Sequence, residues 1–158
     1  MKQKISKIQN CVDAVIVVKN HLLVCDVEDN SFTYLPGGRV EIGESMPDAL
    51  KREMQEELKK GIRIKSYIGY IDQLFELKRK QYHEIAHIYM VDLEGVTTLD
   101  ALESFEEVPS VRWVAIDKLA TANLKPDILQ TKIPELLNNN PTEVWTISQN
   151  EIKSNKSV

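Results

Sequence analysis

The sequence predicts an α/β sandwich folded as a single domain. Its 158 residues suit one ordinary domain, and a composition of 42% hydrophobic and 28% charged residues is typical of a soluble globular protein. Short runs rich in Val, Ile and Leu alternate with a few helical patterns along the chain. We therefore expect one folded domain over residues 1–148 and a polar, disordered tail over residues 149–158.

The first strands are marked by β-branched residues and by turn signals. Residues 11–18 and 21–27 predict two strands joined by a two-residue turn at Lys19-Asn20, and the segment SFTYL predicts a third strand. In the register that this turn imposes, Cys11 and Cys25 do not face each other. Both cysteines are therefore expected to be buried and reduced.

A helix is predicted from Met46 to Lys60, with a signal at each end. Ser45 is the candidate N-cap, and Asp48 three residues later gives a capping-box arrangement. Gly61 follows the last turn and is the expected left-handed C-cap. Both ends of the helix are thus defined by local chemistry.

Three glutamates of this helix share one sector beside its apolar stripe. On a wheel of about 100° per residue, Glu53, Glu56 and Glu57 border the buried face, whereas Lys51 and Gln55 take the opposite, solvated face. Crowded carboxylates raise one another's pKa unless a positive charge lies among them. Because Mg²⁺ takes carboxylate and phosphate oxygens as ligands, the cluster predicts a divalent-metal site.

A Gly-rich turn precedes this helix. Pro36-Gly37-Gly38 has little side-chain bulk, so a ligand can approach its backbone closely. Glu41 and Glu44 lie in the loop that leads from the turn to the helix. The conjunction of turn, capped helix and carboxylates favours a metal and phosphate site over a merely solvated acidic face.

The remainder of the chain predicts a long strand pair, a short strand and two helical pieces. The pair consists of GIRIKSYIGYIDQLFEL and HEIAHIYMVDL, joined by a basic turn, and VRWVAI follows after an acidic loop. Helical pieces are expected around residues 117–122 and 126–139, and EVWTI predicts a last short strand.

The spacing of the candidate site residues resembles the Nudix box of the MutT-like Nudix hydrolases, G-x5-E-x7-R-E-U-x-E-E-x-G-U, in which U is a bulky aliphatic residue. Gly38, Glu44 and the run from Arg52 to Glu57 match every fixed position through the second Glu of the EE pair. Downstream, Gly61 comes two residues later than the pattern places its Gly, which predicts a helix longer by about half a turn. The resemblance implies an α/β/α sandwich with a mixed central sheet.

The resemblance also implies an enzyme that uses Mg²⁺ or Mn²⁺ to hydrolyse a diphosphate linkage in a nucleoside diphosphate joined to another group. In this pattern Arg52, Glu53 and Glu56 form the catalytic set, with Glu53 as a metal ligand or the base. The implied metal ligands are the Gly38 carbonyl, Glu53, Glu56 and Glu57. The candidates for an additional base or ligand are Glu44, Glu103, Glu106 and Glu107.

Two other functional readings stay open. The run His83-Glu84-Ile85-Ala86-His87 is a literal HExxH, the helix signature of zinc proteases. Its β-forming neighbours predict a strand instead, on which the histidines would stand about 13 Å apart and could not share a zinc ion. A non-catalytic nucleotide sensor on the same fold is the second alternative, since it would bind nucleotide without turnover.

Charge and hydropathy narrow the partners. A formal net charge of -4 offers no basic surface for a nucleic acid polymer, and no apolar run suits a membrane span or a secretion signal. We expect a cytoplasmic protein with a small nucleotide-type substrate and no membrane partner. The aromatic candidates for stacking a base are Tyr70, Phe75, Tyr82 and Trp113, while the substrate itself and the oligomeric state are left open.

Overall fold

Runs of alternating and continuous apolar residues form two sheets, with two α-helices packed against them, in the computed structural model, which describes residues 7–106, 108–139 and 143–152. In chain order the elements are β1 (Gln9–Val15), β2 (Val17–Val18), β3 (His21–Asp26), β4 (Thr33–Tyr34), β5 (Gly37–Arg39), α1 (Met46–Leu58), β6 (Ile62–Leu77), β7 (Lys80–Leu93), β8 (Ser110–Ala115), α2 (Leu129–Asn139) and β9 (Trp145–Asn150). No helix in these residues has the length and apolar character needed to cross a membrane.

The central sheet is mixed, as predicted. Its five strands are ordered β5-β1-β7-β6-β9. β1 pairs in parallel with β7, and β6 with β9, whereas the β1–β5 and β6–β7 pairs are antiparallel. A smaller sheet is ordered β2-β3-β4, and β8 also pairs with β3.

The first predicted hairpin is only partly correct. Lys19 and Asn20 both have positive φ and form the expected turn, but the strand predicted over residues 11–18 is interrupted at Ile16. β2 stays with β3, while β1 joins the central sheet, where β7 offers it a seven-residue parallel ladder. Cys11 and Cys25 are both buried and free, as predicted.

Alternation along β1 divides the core into two layers. Val12 and Ala14 point towards α1, and Cys11 and Val15 point the other way, towards α2. The apolar stripe predicted for α1 (Leu50, Met54 and Leu58) fills the first layer. Leu129 and Ile133 of α2 pack in the second layer. The two helices therefore cover opposite faces of the central sheet.

The helix α1 begins as predicted and ends differently. Ser45 caps it, because its Oγ accepts a hydrogen bond from the Asp48 backbone N–H at 3.2 Å. The helix stops at Leu58, and the left-handed residue that follows is Lys59, with φ of 53°, and not Gly61. The predicted extension by half a turn is therefore wrong. Lys59 occupies the position where the Nudix box has its Gly, so the departure is a substitution and not an insertion.

The later elements confirm the long strand pair and shift some boundaries. β6 and β7 pair along their whole length around a turn at Lys78-Arg79. The helix predicted from residue 117 shortens to a single 3₁₀ turn at Ile116–Lys118, and α2 begins at Leu129, three residues later than predicted. β9 continues to Asn150, past the predicted boundary at residue 148, because the open edge of β6 supplies partners that composition does not show. Residues 153–158 of the predicted tail lie outside the described residues.

Candidate active site

The three glutamates of α1 stand at the edge of the packed surface, in an order of decreasing burial. Glu57 is 8% exposed, the Glu53 side chain 14% and the Glu56 side chain 47%. The helix packs on β5 and β1, so this edge faces the Gly37-Gly38 backbone. Side chains that are acidic and desolvated to this degree need a partner of opposite charge.

Gly38 is required by the position of Glu53. A Cβ added to Gly38 would lie closer than 3.0 Å to the carboxyl group of Glu53, and one added to Gly37 would collide with the backbone of β1. The absence of side chains, predicted from the sequence to admit a ligand, thus also admits the helix carboxylates. β5 and α1 approach each other more closely than any other residue type would allow.

Arg52 connects the glutamates of the helix to the loop before it. Its guanidinium donates to both carboxyl oxygens of Glu44, at 2.7 and 3.1 Å, and to Glu53 Oε1 at 2.8 Å. A longer hydrogen bond of 3.3 Å reaches Glu56, and the Arg39 carbonyl accepts another at 2.9 Å. Hydrogen bonds from Arg52 lower the pKa of Glu44 below its usual value. Glu44 therefore serves as a partner of Arg52 in this arrangement.

Glu57 is the carboxylate with the least compensation. Its Oε2 atom is buried and has no hydrogen-bond partner among the residues that the structure describes. Burial, followed by the charge of Glu53, raises the pKa of Glu57 to about 8. Burial also raises the pKa of Glu53, although the Arg52 guanidinium opposes that shift. A hard divalent cation fits this donor set, since it would supply a positive charge and would also be a partner for the buried Glu57 Oε2 atom.

The carboxylates are near one another without being preassembled around a single point. Within residues 7–106, 108–139 and 143–152, no three His, Cys, Asp or Glu side chains stand close enough together to hold a metal ion. Glu53 Oε1 and Glu56 Oε2 instead accept hydrogen bonds from the Arg52 guanidinium. Metal binding would therefore require these side chains to rotate.

The acidic loop reaches the end of α1 through its backbone. The Phe105 N–H donates to the Glu57 carbonyl at 2.8 Å, and Lys59 Nζ lies 5.2 Å from the centre of the Phe105 ring. Glu103 and Glu106 flank Phe105 and are exposed. Glu107, the third candidate in this loop, lies outside the described residues. The loop is thus held beside the site, with both described carboxylates directed to solvent.

A cleft of about 610 Å³ lies beside the glutamate helix and includes both glycines of β5 in its lining. Four acidic side chains that were not among the predicted site residues also line it, and two of them are Asp13 of β1 and Glu84 of β7. Burial raises the pKa of both, and for Asp13 the charges of Glu84 and Glu57 add to the effect. The sequence signal for Asp13 and Glu84 is an acidic residue within an otherwise apolar strand. The face of the sheet to which such a side chain points depends on the strand register.

One of the predicted stacking aromatics belongs to this cleft. Phe75 lines it and stacks on Tyr82, with ring centroids 5.1 Å apart and an interplanar angle of 9°. Trp113 packs against the α1 core instead, and the Tyr70 ring faces His87.

The zinc-protease alternative is wrong, because its motif lies on a strand. All five residues of HEIAH belong to β7, where the two histidines share one face and Glu84 points to the other. His83 Nε2 pairs with Asp72 Oδ1 at 2.8 Å, and His87 Nδ1 hydrogen-bonds the Tyr67 hydroxyl at 2.9 Å. Each histidine thus has its own partner.

Comparison with known proteins identifies the family. The NUDIX domain model matches residues 7–133, which is more than half of the chain. The fold is similar to a NUDIX hydrolase from Nitrosomonas europaea, with a TM-score of 0.68 and 13% identity over 90% of this chain and 79% of that one. It is also similar to the MutT protein of Methanosarcina mazei, with a TM-score of 0.65 and 23% identity over 87% and 99% of the two chains. An ADP-ribose pyrophosphatase from Streptococcus suis has a TM-score of 0.63 and 15% identity over 90% and 98%.

A search of curated protein sequences found no match. The structural likenesses establish the fold, and the family model adds the domain to which the glutamate helix belongs. The chain therefore belongs to the NUDIX domain family.

Proposed function

We propose that this protein hydrolyses a diphosphate linkage in a nucleoside diphosphate joined to another group, and that it depends on Mg²⁺ or Mn²⁺. The observation that carries the proposal is Glu57, a buried carboxylate with an unpartnered oxygen and a pKa raised to about 8. Family membership supports the reaction class. The small-molecule substrate is in keeping with a net charge of -4, which does not favour a nucleic acid polymer.

The residues that would hold the cation are Glu53, Glu56, Glu57 and the carbonyl of Gly38. When bound, a divalent cation neutralises phosphate charge and lowers the pKa of a water molecule. Arg52 would position Glu53 and Glu56 through the hydrogen bonds described above, and Glu44 would in turn orient Arg52. Glu53, whose pKa is raised by burial, would either complete the ligand set or accept a proton from the attacking water.

An additional base is proposed from the acidic loop. Glu103 and Glu106 are held near α1 by the backbone contact of Phe105 with Glu57. Family members use glutamates outside the box as well as inside it. Single Gln variants at these two positions, compared with a Gln variant at Glu53, would assign the base by the loss of the acidic limb of the pH–rate profile.

The test of the metal site is a matched set of isosteric variants. Glu57→Gln and Glu56→Gln should lower kcat/KM for diphosphate hydrolysis by about a thousandfold or more, since each removes a charged ligand. Glu135→Gln, on an exposed position of α2, removes the same charge and should leave the rate unchanged. Circular dichroism and thermal unfolding would verify the fold of all three. Full hydrolysis rates in both helix variants would refute the assignment.

Substrate choice requires a direct screen. Nucleoside triphosphates, nucleotide sugars, dinucleoside polyphosphates and ADP-ribose should be tested with Mg²⁺ and with Mn²⁺. ADP-ribose is included because one structural neighbour is an ADP-ribose pyrophosphatase. Nucleotide binding should be measured in parallel, since tight binding with no phosphate release for any compound would favour the non-catalytic sensor.

A further inference from the structure

Four polar side chains cross the central sheet in a single row, and the middle two line the cleft. The strand register aligns Gln9 of β1 with Glu84 of β7, Glu84 with Gln73 of β6, and Gln73 with Gln149 of β9. Here these four residues are called the polar row. Because neighbouring positions in a sheet register point to the same face, all four project to the side of the sheet that carries α2.

The neighbouring rows show how unusual this composition is. In the next row on the same face every residue is apolar: Cys11, Ala86 and Ile71 are buried in the core, and Ile147 packs against it. In the other direction lies the stacked pair of Phe75 and Tyr82. The polar row is therefore placed between core packing and an aromatic pair, where apolar residues would be expected for stability alone.

The hydrogen bonds of the polar row are incomplete. Gln9 Oε1 and Gln149 Oε1 are both buried and lack partners within the described part of the chain. Gln73 Nε2 lies 3.5 Å from Glu84 Oε2, which is a long hydrogen bond. Buried polar groups are normally satisfied, but Gln9 and Gln149 are not among the residues that line the cleft. The members of the polar row that a ligand in the cleft could reach are Glu84 and Gln73.

The position of the polar row specifies where that ligand would lie. Glu84 and Gln73 line the floor of the cleft, together with the aromatic side chains of Tyr34 and Phe75. A volume of about 610 Å³ suits a nucleotide, and Gly37 and Gly38 connect the cleft to the glutamates of α1. A flat ring in this cleft has an aromatic partner for its face and polar partners for its edge.

We propose that the two members of the polar row in the cleft recognise the nucleobase of the substrate, and that Glu84, held by Gln73, accepts a hydrogen bond from an exocyclic amino group. The cleft then selects bases that carry such a group over their keto or hydrogen-bearing counterparts. The inference rests on the proposed function only in taking a nucleotide as the substrate. It adds the chemical class of the base and the residue that selects it.

An amino group is the expected partner because the Glu84 carboxylate can only accept hydrogen bonds. Carboxyl oxygens accept hydrogen bonds, and an amino group supplies two N–H donors. In uracil a carbonyl oxygen replaces the amino group of cytosine and would face Glu84 acceptor to acceptor. In hypoxanthine a hydrogen atom replaces the amino group of guanine, so the Glu84 oxygen that faces the base would have no donor. A site built to hydrogen-bond a donor discriminates strongly against analogues that lack it.

Matched nucleotide pairs test the inference through binding. Dissociation constants for CDP against UDP, and for GDP against IDP, should be measured by calorimetry in the presence of Mg²⁺. For whichever pair the cleft accepts, the amino-bearing nucleotide should bind about tenfold or more tightly. Hydrolysis of the corresponding triphosphates should show the same preference in kcat/KM.

Variants at two positions of the cleft assign the preference to Glu84. Glu84→Leu should reduce the binding ratio to within about twofold of unity, because it removes every hydrogen-bonding atom. Glu84→Gln keeps the shape and one acceptor oxygen, so it should fold as the parent does and retain an intermediate ratio. Glu151→Leu removes a carboxylate from the rim of the same cleft and should leave the ratio intact.

The inference and the proposed function fail in different ways. A wild-type ratio near unity in both pairs, no measurable binding of either pair, or a ratio that survives in Glu84→Leu would overturn the role of the polar row. Base-selective binding with no hydrolysis of any nucleotide would instead overturn the proposed function and leave the recognition inference standing.

Discussion

The left-handed residue at the end of α1 predicts an inversion of the usual preference for Ala over Gly in a helix. At Lys59, φ is 53°, a conformation in which the Cβ of any L-residue is crowded. Lys59→Gly should therefore be more stable than Lys59→Ala. In the middle of a helix the order is the opposite, with Ala favoured by about 1 kcal/mol.

The difference in the free energy of unfolding between Lys59→Gly and Lys59→Ala comes from the contributions that the two variants do not share. Both lose the hydrogen bond of 3.1 Å from Lys59 Nζ to the Glu56 carbonyl and the contact with the Phe105 ring. Only the Gly variant removes the left-handed strain, which is about 1–2 kcal/mol. The greater freedom of Gly in the unfolded chain offsets about 0.5–1 kcal/mol of this gain. The expected difference is about 1 kcal/mol in favour of Gly.

Urea unfolding of the metal-free protein measures this difference. A chelator should be present, so that bound metal does not add to the free energy of unfolding. With a slope of about 2 kcal/mol per molar urea, the Gly variant should unfold about 0.5 M later than the Ala variant. Gly and Ala variants of Gln55, an exposed residue in the same helix, provide the control and should show the reverse order.

Equal midpoints for the two Lys59 variants, or a later midpoint for Ala, would refute the reasoning. Such a result would mean that the left-handed conformation carries no strain in solution. A normal order at Gln55 combined with the inverted order at Lys59 would locate the helix end at Leu58.

Three other predictions follow from contacts within and beside the site. In the metal-free protein, the pKa of Glu57 is about 8, against 4.5 in the unfolded chain. Its contribution to the free energy of unfolding is therefore full below about pH 4.5 and is lost as the pH rises to about 8. Urea unfolding between about pH 5.5 and 8.5 should show this decline, and Glu57→Gln should flatten it. Gly38→Ala should displace Glu53 and abolish most hydrolysis while the circular dichroism spectrum stays unchanged, and a fully active variant would contradict the close contact. Asp26→Ala should lower the free energy of unfolding by about 2–3 kcal/mol. Asp26 is buried and accepts hydrogen bonds from Ser110 at 2.8 Å and from Arg112 at 3.0 Å. A loss no larger than that of Asp29→Ala, at an exposed position, would argue against this.

Local chemistry predicted the start of α1 and the sector of its glutamates. Ser45 and Asp48 lie three residues apart, so their capping contact needs no information from elsewhere in the chain. The burial of Glu57 follows from the helical period relative to Leu50 and Leu58. These features were predictable because the forces that fix them act within a few residues.

Features that depend on distant partners were not predictable. The end of α1 at Leu58 is accompanied by the contact between Phe105 and Glu57, which joins segments nearly fifty residues apart. The separation of β1 from β2 depends on β7, whose pairing no local pattern reveals. Glu84 could be seen as an acid in an apolar strand, but only the register of three strands places it under the cleft.

The backbone of Gly37 and Gly38 in β5 lies between the glutamates of α1 and the cleft. Gly38 abuts the helix carboxylate on one side, and both glycines border the ligand cleft on the other. A side chain introduced at Gly38 would collide with Glu53, and one introduced at Gly37 would collide with Asp13 and the β1 backbone. Attempts to redirect this protein to new compounds should therefore keep both glycines and vary Gln73 and Glu84, which line the cleft from β6 and β7.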